Sequence, residues 1–372
     1  MTRLKREPRE NWQAKVEEVG LTFHTLDGAI YWDESACYEL TAAEVDTLEA
    51  AANEVHARCI EAAGAVIEHR WYERLAIPAA AVPEIEASWE RDDFSVYGRF
   101  DFAWDGQGPP KMLEYNADTP TALLEASVVQ WSWLQEVAPA NDQFNSIHER
   151  LIEAWRSQPA MKVHFAAVAG SEEDSQTALY MRDTCQQAGR TTESIAIEDL
   201  GYDSKMGVFV DMQERPVEAL FKLYPWEWMW HESFAQHLPG RCQRFIEPVW
   251  KMILSNKGLL PILWEMFPDH PNLLAAYETP VPLGASYVRK PKLSREGANV
   301  LMVAGGRILE QTRGEYGAEG FVYQAIAPAR DFDGQHPVLG LWMVNNESAG
   351  LGIREESRRI TTNASRFVPH WF

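Results

Sequence analysis

The chain has 372 residues, 46% of them hydrophobic and 24% charged, with a formal net charge of −21. That size exceeds one ordinary core and suits two or three associated subdomains, and that composition excludes a disordered chain. The charge argues against nucleic acid as a partner, because phosphate backbones are repelled at long range. No apolar run is long enough to span a bilayer, so no membrane is expected. The charged start, Met1 to Glu7, has no apolar stretch behind it and predicts no signal peptide. Cys37, Cys59, Cys185 and Cys242 form no Cys-x-x-Cys pair, which predicts reduced thiols and a cytoplasmic location. Fifteen tryptophans, grouped near 131/133, 226/228/230 and 250/264, read mainly as buried packing residues.

The first ~70 residues read as mainly helical, with Asn11 to Glu18 and Thr41 to Ile67 rich in Ala, Glu and Leu. Thr41 followed by Glu44 is a capping box. Asp27-Gly28 marks a turn between short extended pieces near Leu21 and Tyr31, and Pro78 and Pro83 lead into a helix around Ile85 to Glu90. Val96 to Trp104 and Lys111 to Asn116 alternate polar with apolar residues on either side of Asp105-Gly106-Gln107-Gly108-Pro109-Pro110, which predicts a hairpin. Asp118-Thr119-Pro120-Thr121 reads as an N-cap sequence for a helix over Ala122 to Gln135. Val163 to Val168, a helix over Asp174 to Ala188, and Thr192 to Ile197 then predict a small α/β layer whose strand ends form a ligand edge. Further strands are expected at Val208 to Val210 and Ala219 to Leu223. Phe245 to Leu254 reads as helical or extended, and Gly258 to Phe267 as a helix. From Tyr287 onward the pattern turns to short strands: Tyr287 to Lys290, Val300 to Val303, Arg307 to Gln311, Phe321 to Ile326, Val338 to Val344 and Gly350 to Arg354.

The hairpin carries the most chemistry. Side chains two apart on a strand share a face. Arg99 and Asp101 therefore face one way, as do Glu114 and Asn116. If the strands pair, two carboxylates, an amide oxygen and a guanidinium meet. Hard oxygen donors of this kind suit Mg²⁺ with substrate phosphates. A salt-bridged surface hairpin reads the same pattern equally well. Lys257, Lys290 and Arg354, with the flexible turn around Glu296-Gly297, supply the point charges and mobile loop that a nucleoside triphosphate needs. No Walker A or Gly-x-Gly-x-x-Gly sequence is present, which argues against a P-loop or Rossmann site.

The strings Tyr97-Gly98-Arg99-Phe100-Asp101, Leu113 to Asp118, Leu254-Ser255-Asn256-Lys257, Arg289-Lys290-Pro291 with Arg295-Glu296-Gly297, Tyr323-Gln324, Gly350 to Arg354 and Ser365 to His370 resemble, in order and over nearly the whole chain, the synthetase part of the glutathionylspermidine synthase family and its stand-alone bacterial relatives. The resemblance implies an α/β (α+β) chain with an ATP-grasp fold, preceded by a pre-ATP-grasp-like α/β domain and a helical N-terminus. It divides the chain into a mainly helical region 1–95, an α/β region 96–240 with the metal hairpin, and ATP-grasp lobes and lid over 241–372. It implies an acid–amine ligase that uses ATP and Mg²⁺ to join a small carboxylate, peptide-like, to an amine such as a polyamine through an acyl-phosphate. By that resemblance Asp101, Glu114 and Asn116 hold metal. Arg99 and Arg354 serve catalysis at the transferring phosphoryl group. Arg99, Phe100, Asp101, Lys257, Lys290, Glu296 and Gly297 with Tyr323, Gln324, Ala325 and Ile326 contact ATP, and Thr119, Glu172 and Glu173 contact substrate.

Two departures stand out. The bifunctional relatives carry an amidase domain with a catalytic Cys, which is not expected here. The stretch that contacts glutathione in the family reads Lys222-Leu223-Tyr224-Pro225-Trp226-Glu227, with Leu223 in place of a hydroxyl residue, so the identity of the acid stays open. The competing readings are an ATP-binding regulatory or assembly protein without ligase turnover, and a phosphotransferase on the same fold.

Overall fold

The strand carrying Arg99 and Asp101 has partners on both sides. In the computed structural model, which describes residues 1–26, 28–239, 243–328, 330–363 and 365–372, Tyr97–Ala103 pairs antiparallel with Lys111–Asn116 and with His336–Val344. These belong to a five-stranded central sheet ordered Arg366–Val368, Glu347–Glu356, His336–Val344, Tyr97–Ala103, Lys111–Asn116.

Alternation along the strands gives this sheet two different faces. Phe100, Phe102, Leu339, Leu341, Leu351 and Ile353 join one buried apolar cluster with the inner stripe of the long helix Ala42–His69. The predicted capping box starts that helix: the Glu44 N–H donates to Thr41 Oγ1, and the Thr41 N–H donates to the Glu44 carboxylate. Arg99, Asp101 and Arg354 occupy the opposite face. There Asp101 pairs across to Gly340, and Gly340 to Gly352. A Cβ on Gly340 would lie 3.0 Å from Arg99 Cδ and 3.2 Å from the Gly352 carbonyl oxygen. The missing side chains leave a bare floor on which both arginines reach Asp101.

A second sheet is four-stranded and parallel, ordered Arg244–Ile246, Ala219–Lys222, Lys162–Ala167, Thr191–Ala196. Its inner strands Lys162–Ala167 and Ala219–Lys222 are largely buried, while Thr191–Ala196 is a polar, partly exposed edge; helix Glu172–Gln187 packs on it, and Trp155 of helix Ile147–Ser157 meets Phe165. A third sheet is five-stranded and antiparallel, ordered Ala276–Tyr277, Phe321–Gln324, Tyr287–Pro291, Leu301–Ala304, Arg307–Gln311. A mixed three-stranded sheet joins Thr2–Lys5, Ala36–Glu39 and His370–Trp371, which ties the two ends of the chain together. Among the described residues no helix is long and apolar enough to cross a membrane.

Several elements differ from the sequence expectation. The strands Thr2–Lys5 and Ala36–Glu39 interrupt the mainly helical start, because their partner lies at the far end of the chain and leaves no local signal. The helix expected from Ala122 begins after it, since Ala122 has φ 69°, and it opens with a π-helical turn at Glu125–Val129 before continuing through Gln130–Val137. Asp118 does not cap it: its carboxylate accepts from Lys222 Nζ at 2.6 Å and from the Trp226 N–H at 2.9 Å. A buried ammonium outcompetes a helix N-terminus for a carboxylate. The Gly350–Arg354 piece is the middle of a ten-residue strand. Cys37, Cys59 and Cys185 are free and buried, whereas the expected turn residue Asp27 and Cys242 lie outside the described residues. Trp133 stacks on Trp371 with ring centres 5.5 Å apart, and Trp250 packs against Trp89 at 5.2 Å, whereas Trp131 is exposed.

Candidate functional site

The three sheets meet around a cavity of about 300 Å³. The central sheet contributes Arg99, Asp101, Glu114, Asn116 and Arg354 from its glycine-floored face. The parallel sheet contributes Val168 and Leu223, just beyond the C-terminal ends of two strands, where ligands of open α/β sheets bind. The third sheet contributes Lys290 and Gln324. For a chain with net charge −21, the lining is balanced, with as many Arg and Lys as Asp and Glu.

The hairpin pairs as expected, with Arg99 opposite Asn116 and Asp101 opposite Glu114. Asp101 is the hub. Arg99 Nε donates to its Oδ1 at 2.8 Å and Arg354 Nη2 to its Oδ2 at 2.6 Å. Burial pushes the Asp101 carboxyl up, but the two guanidinium groups outweigh it and hold the carboxyl below its ordinary value. Arg99 is aimed by a second bond, Nη1 to the Thr121 carbonyl at 2.8 Å. Glu114 faces Lys257 Nζ at 3.4 Å. Lys257 also donates to the Ser294 carbonyl at 2.5 Å, and Lys290 Nζ donates to the Leu113 carbonyl at 2.9 Å and to Gln324 Oε1 at 2.8 Å. Burial pushes the Lys290 ammonium down to about 8; Lys257 adds to this, while Glu114 and Asp101 oppose it.

The turn around Glu296-Gly297 packs on the segment 360–363. Gly297 has φ 66°, and a Cβ there would lie 2.3 Å from the Thr361 carbonyl oxygen. Arg295, just before it, donates to Thr119 Oγ1 at 2.6 Å and to Glu227 at 2.8 Å. A second charged group is acidic. Burial raises the Glu296 and Asp174 carboxyls, and Glu173 raises both further. An apolar slot formed by Val288, Val300, Met302 and Ile360 with Ile326 closes the remaining wall beside Gln324, Ala325 and Ala327.

Three expected residues stand apart from the cavity. Phe100 points into the core and stacks on Tyr115 at 3.8 Å, because alternation turns it away from its neighbours Arg99 and Asp101. Tyr323 is turned away from the cavity wall that Gln324 forms and packs against Tyr287 at 5.5 Å. Glu172 is exposed and accepts a bond from Thr22, so Glu173 alone of that pair lines the cavity. Other lining residues had no assigned role in the sequence reading: Tyr31, Glu227, Arg295, Arg359 and the 361–363 segment. Alternation in the strands at 287–291 and 301–304 was a usable signal for Val288 and Met302. Nothing local marked Tyr31 or Arg359, which the fold brings in from opposite ends of the chain. Outside the cavity, His164, Glu193 and Asp211 cluster, but Lys162 and Arg215 already neutralise the two carboxylates.

The family model for glutathionylspermidine synthase pre-ATP-grasp matches residues 3–372. The chain belongs to the glutathionylspermidine synthase pre-ATP-grasp family. Relatives of this family agree. A Haemophilus influenzae protein described as "Putative acid–amine ligase" is 42% identical over 95% of both chains. Trypanothione synthetase of Crithidia fasciculata is 30% identical over 85% of this chain, and the bifunctional glutathionylspermidine synthetase/amidase of Escherichia coli is 26% identical over 89%. The chain spans 55% and 58% of those two longer proteins. A glutathione synthetase-like effector from Globodera pallida, solved in its apo form, shares the fold with TM-score 0.59 over 97% of this chain and 96% of that one, at 8% identity. The protein is thus an enzyme of the ligase class with the mixed α/β, ATP-grasp-type fold of the glutathionylspermidine synthase family.

Proposed function

We propose that this enzyme activates a small carboxylate with ATP and joins it to an amine. The observation that carries the reading is the Asp101 carboxylate held between Arg99 and Arg354, beside the Glu114–Lys257 pair, on the floor of one cavity. Asp101, Glu114 and Asn116 offer only oxygen donors, on a common face and in register, which fits Mg²⁺. The bound metal would neutralise charge on the phosphates and on the transferring phosphoryl group. Lys257 and Lys290 supply positive charge for the phosphates, and the apolar slot beside Gln324 to Ala327 suits adenine. Arg99 and Arg354 stand ready to stabilise charge as a carboxylate oxygen takes the γ-phosphoryl group and ADP departs. The turn at 294–297 keeps water from the acyl-phosphate. Nucleophilic attack by the amine then forms the C–N bond and releases phosphate. Glu173 and Thr119, with Asp174 and Glu296, form the acidic side that suits a cationic amine, and Leu223 gives the acid pocket an apolar wall. This reading keeps the division near residues 95 and 240. The boundaries are those of chain order only, since the central sheet joins the hairpin at 97–116 to strands beyond residue 335, and the parallel sheet draws its edge strand Arg244–Ile246 from past residue 240. The same reading places the enzyme in the cytoplasm, where free thiols are stable.

The test is ADP and phosphate release with ATP, Mg²⁺, a panel of small peptides including glutathione, and primary polyamines including spermidine. A ligase releases ADP only when acid and amine are both present, and a metal chelator stops it. ADP with the acid alone and a stable phosphorylated product identifies a phosphotransferase. ATP binding without ADP release identifies a non-catalytic binder.

The lid turn gives a separate prediction. In Gly297→Ala the left-handed backbone costs about 1–2 kcal/mol, and the Cβ meets a backbone oxygen that cannot swing away. The expected result is a rise in KM for ATP of roughly tenfold with the melting temperature nearly kept. A KM equal to that of the parent removes the lid role.

A further inference from the structure

Tyr31 and Glu125 form a buried pair at the cavity wall that the reading above leaves unused. Tyr31 lines the cavity, and its ring is fixed between Phe23 at 5.5 Å and Phe367 at 5.3 Å. Its hydroxyl donates to Glu125 Oε1 at 2.7 Å. Glu125 itself is 1% exposed and does not line the cavity; it sits on the π-helical turn, a feature that recurs at functional positions. The charged groups around the pair are Glu173 and Arg99 near Glu125, and Glu173 and Arg354 near Tyr31. The hydroxyl therefore lies within electrostatic reach of the arginine that would face the acyl-phosphate and of the carboxylate that would face the amine.

We propose that Tyr31 and Glu125 form the proton exit for the incoming amine. The inference rests on the ligase reading. As the amine nitrogen bonds to the acyl carbon, the C–O bond to phosphate breaks and phosphate leaves with its electron pair. The surplus N–H proton passes to Tyr31 Oη while the Tyr31 proton passes to the Glu125 carboxylate. The proton returns through Tyr31 to water once product has left. Two further facts agree. Burial, with Glu125 and Glu173, raises the Tyr31 phenol far above neutrality, so it hands a proton on and never stays ionised. Burial, then Glu173, brings the Glu125 carboxyl up to about 7, where both its forms are accessible.

The experiment compares two nucleophiles on the same acyl-phosphate. Hydroxylamine is uncharged at neutral pH and weakly basic, so its adduct gives up the N–H proton to water or to the departing phosphate, giving a hydroxamate without help from the protein. A polyamine nitrogen is strongly basic: it is protonated at neutral pH and must first be freed of that proton, and its adduct holds the surplus N–H proton tightly until an acceptor takes it. Wild type, Glu125→Gln and Tyr31→Phe are assayed with ATP, Mg²⁺ and the peptide panel, using spermidine or hydroxylamine. Both substitutions keep shape, and the amide oxygen introduced by Glu125→Gln still accepts the Tyr31 bond. The expected result is a fall of roughly 10²-fold in the amide-to-hydroxamate rate ratio in both variants. In wild type the amide-forming rate rises with pH as Glu125 ionises, and Glu125→Gln loses that limb. An unchanged ratio or an unchanged pH profile in both variants overturns the relay while leaving the ligase reading in place. A wild-type chain that forms neither hydroxamate nor amide with any member of the panel overturns both.

Discussion

Alanine in place of Asp101 is expected to lower Mg²⁺-dependent turnover by about 10³-fold or more, the scale of removing a preorganised charge from a transition-state site. The same change removes an oxygen donor of the proposed metal site and leaves Arg99 and Arg354 facing each other without their shared partner. Breaking a buried ion pair from one side costs about 3–5 kcal/mol; here the lower end applies, because the cavity admits water to the freed guanidinium groups. Glu114→Ala separates the two effects. Glu114 is more exposed, and its contact with Lys257 spans 3.4 Å, so its loss costs below about 1 kcal/mol in stability while turnover falls as far. Chemical denaturation and ADP release, measured on both variants, check this. Full activity in either would sink the metal assignment.

The second large effect is on stability. Lys222→Met is expected to cost about 3–5 kcal/mol. Lys222 is fully buried, and its ammonium touches Asp118 at 2.6 Å and the Tyr224 carbonyl at 3.0 Å. Burial pulls the Lys222 pKa down and Asp118 pushes it back up, so each charge depends on the other. Methionine fills the space but strands the Asp118 carboxylate. Adding Asp118→Asn is expected to recover much of the loss, since an amide oxygen still accepts from the Trp226 N–H and carries no charge. Urea midpoints of the two single variants and the double variant measure the coupling. Additive losses would mean that the pair does not act as a unit. This link joins the parallel sheet to the segment just after Asn116, so it also sets how the two walls of the cavity meet.

Much of the site was legible because its signals are short in range. The hairpin needs only a period of two and turn residues, and Arg99, Asp101, Glu114 and Asn116 fall into register accordingly. Val168 and Leu223 follow from the rule that ligands lie at the C-terminal ends of parallel strands. The departures from expectation have local causes too. Phe100 and Tyr323 belong to recognisable strings, but strand alternation turns their side chains away from the cavity. Asp118 has the chemistry of a helix cap and is claimed by a lysine more than a hundred positions away.

The sequence by itself determined most of the elements and the chemical inventory: the hairpin and the strands and helix of the parallel layer, which face of the hairpin carries the oxygen donors, and which lysines and arginines are available. Turn preferences, alternation and capping act between residues a few positions apart, so the chain order displays them. Only the tertiary structure decided that Tyr97–Ala103 pairs with His336–Val344, that Gly340 and Gly352 clear a floor for Arg99 and Arg354, and that Tyr31 reaches the cavity with Glu125 behind it. Those contacts arise from burying apolar faces of distant segments against one another. That force has no direction and no preferred separation along the chain, so no short pattern records it.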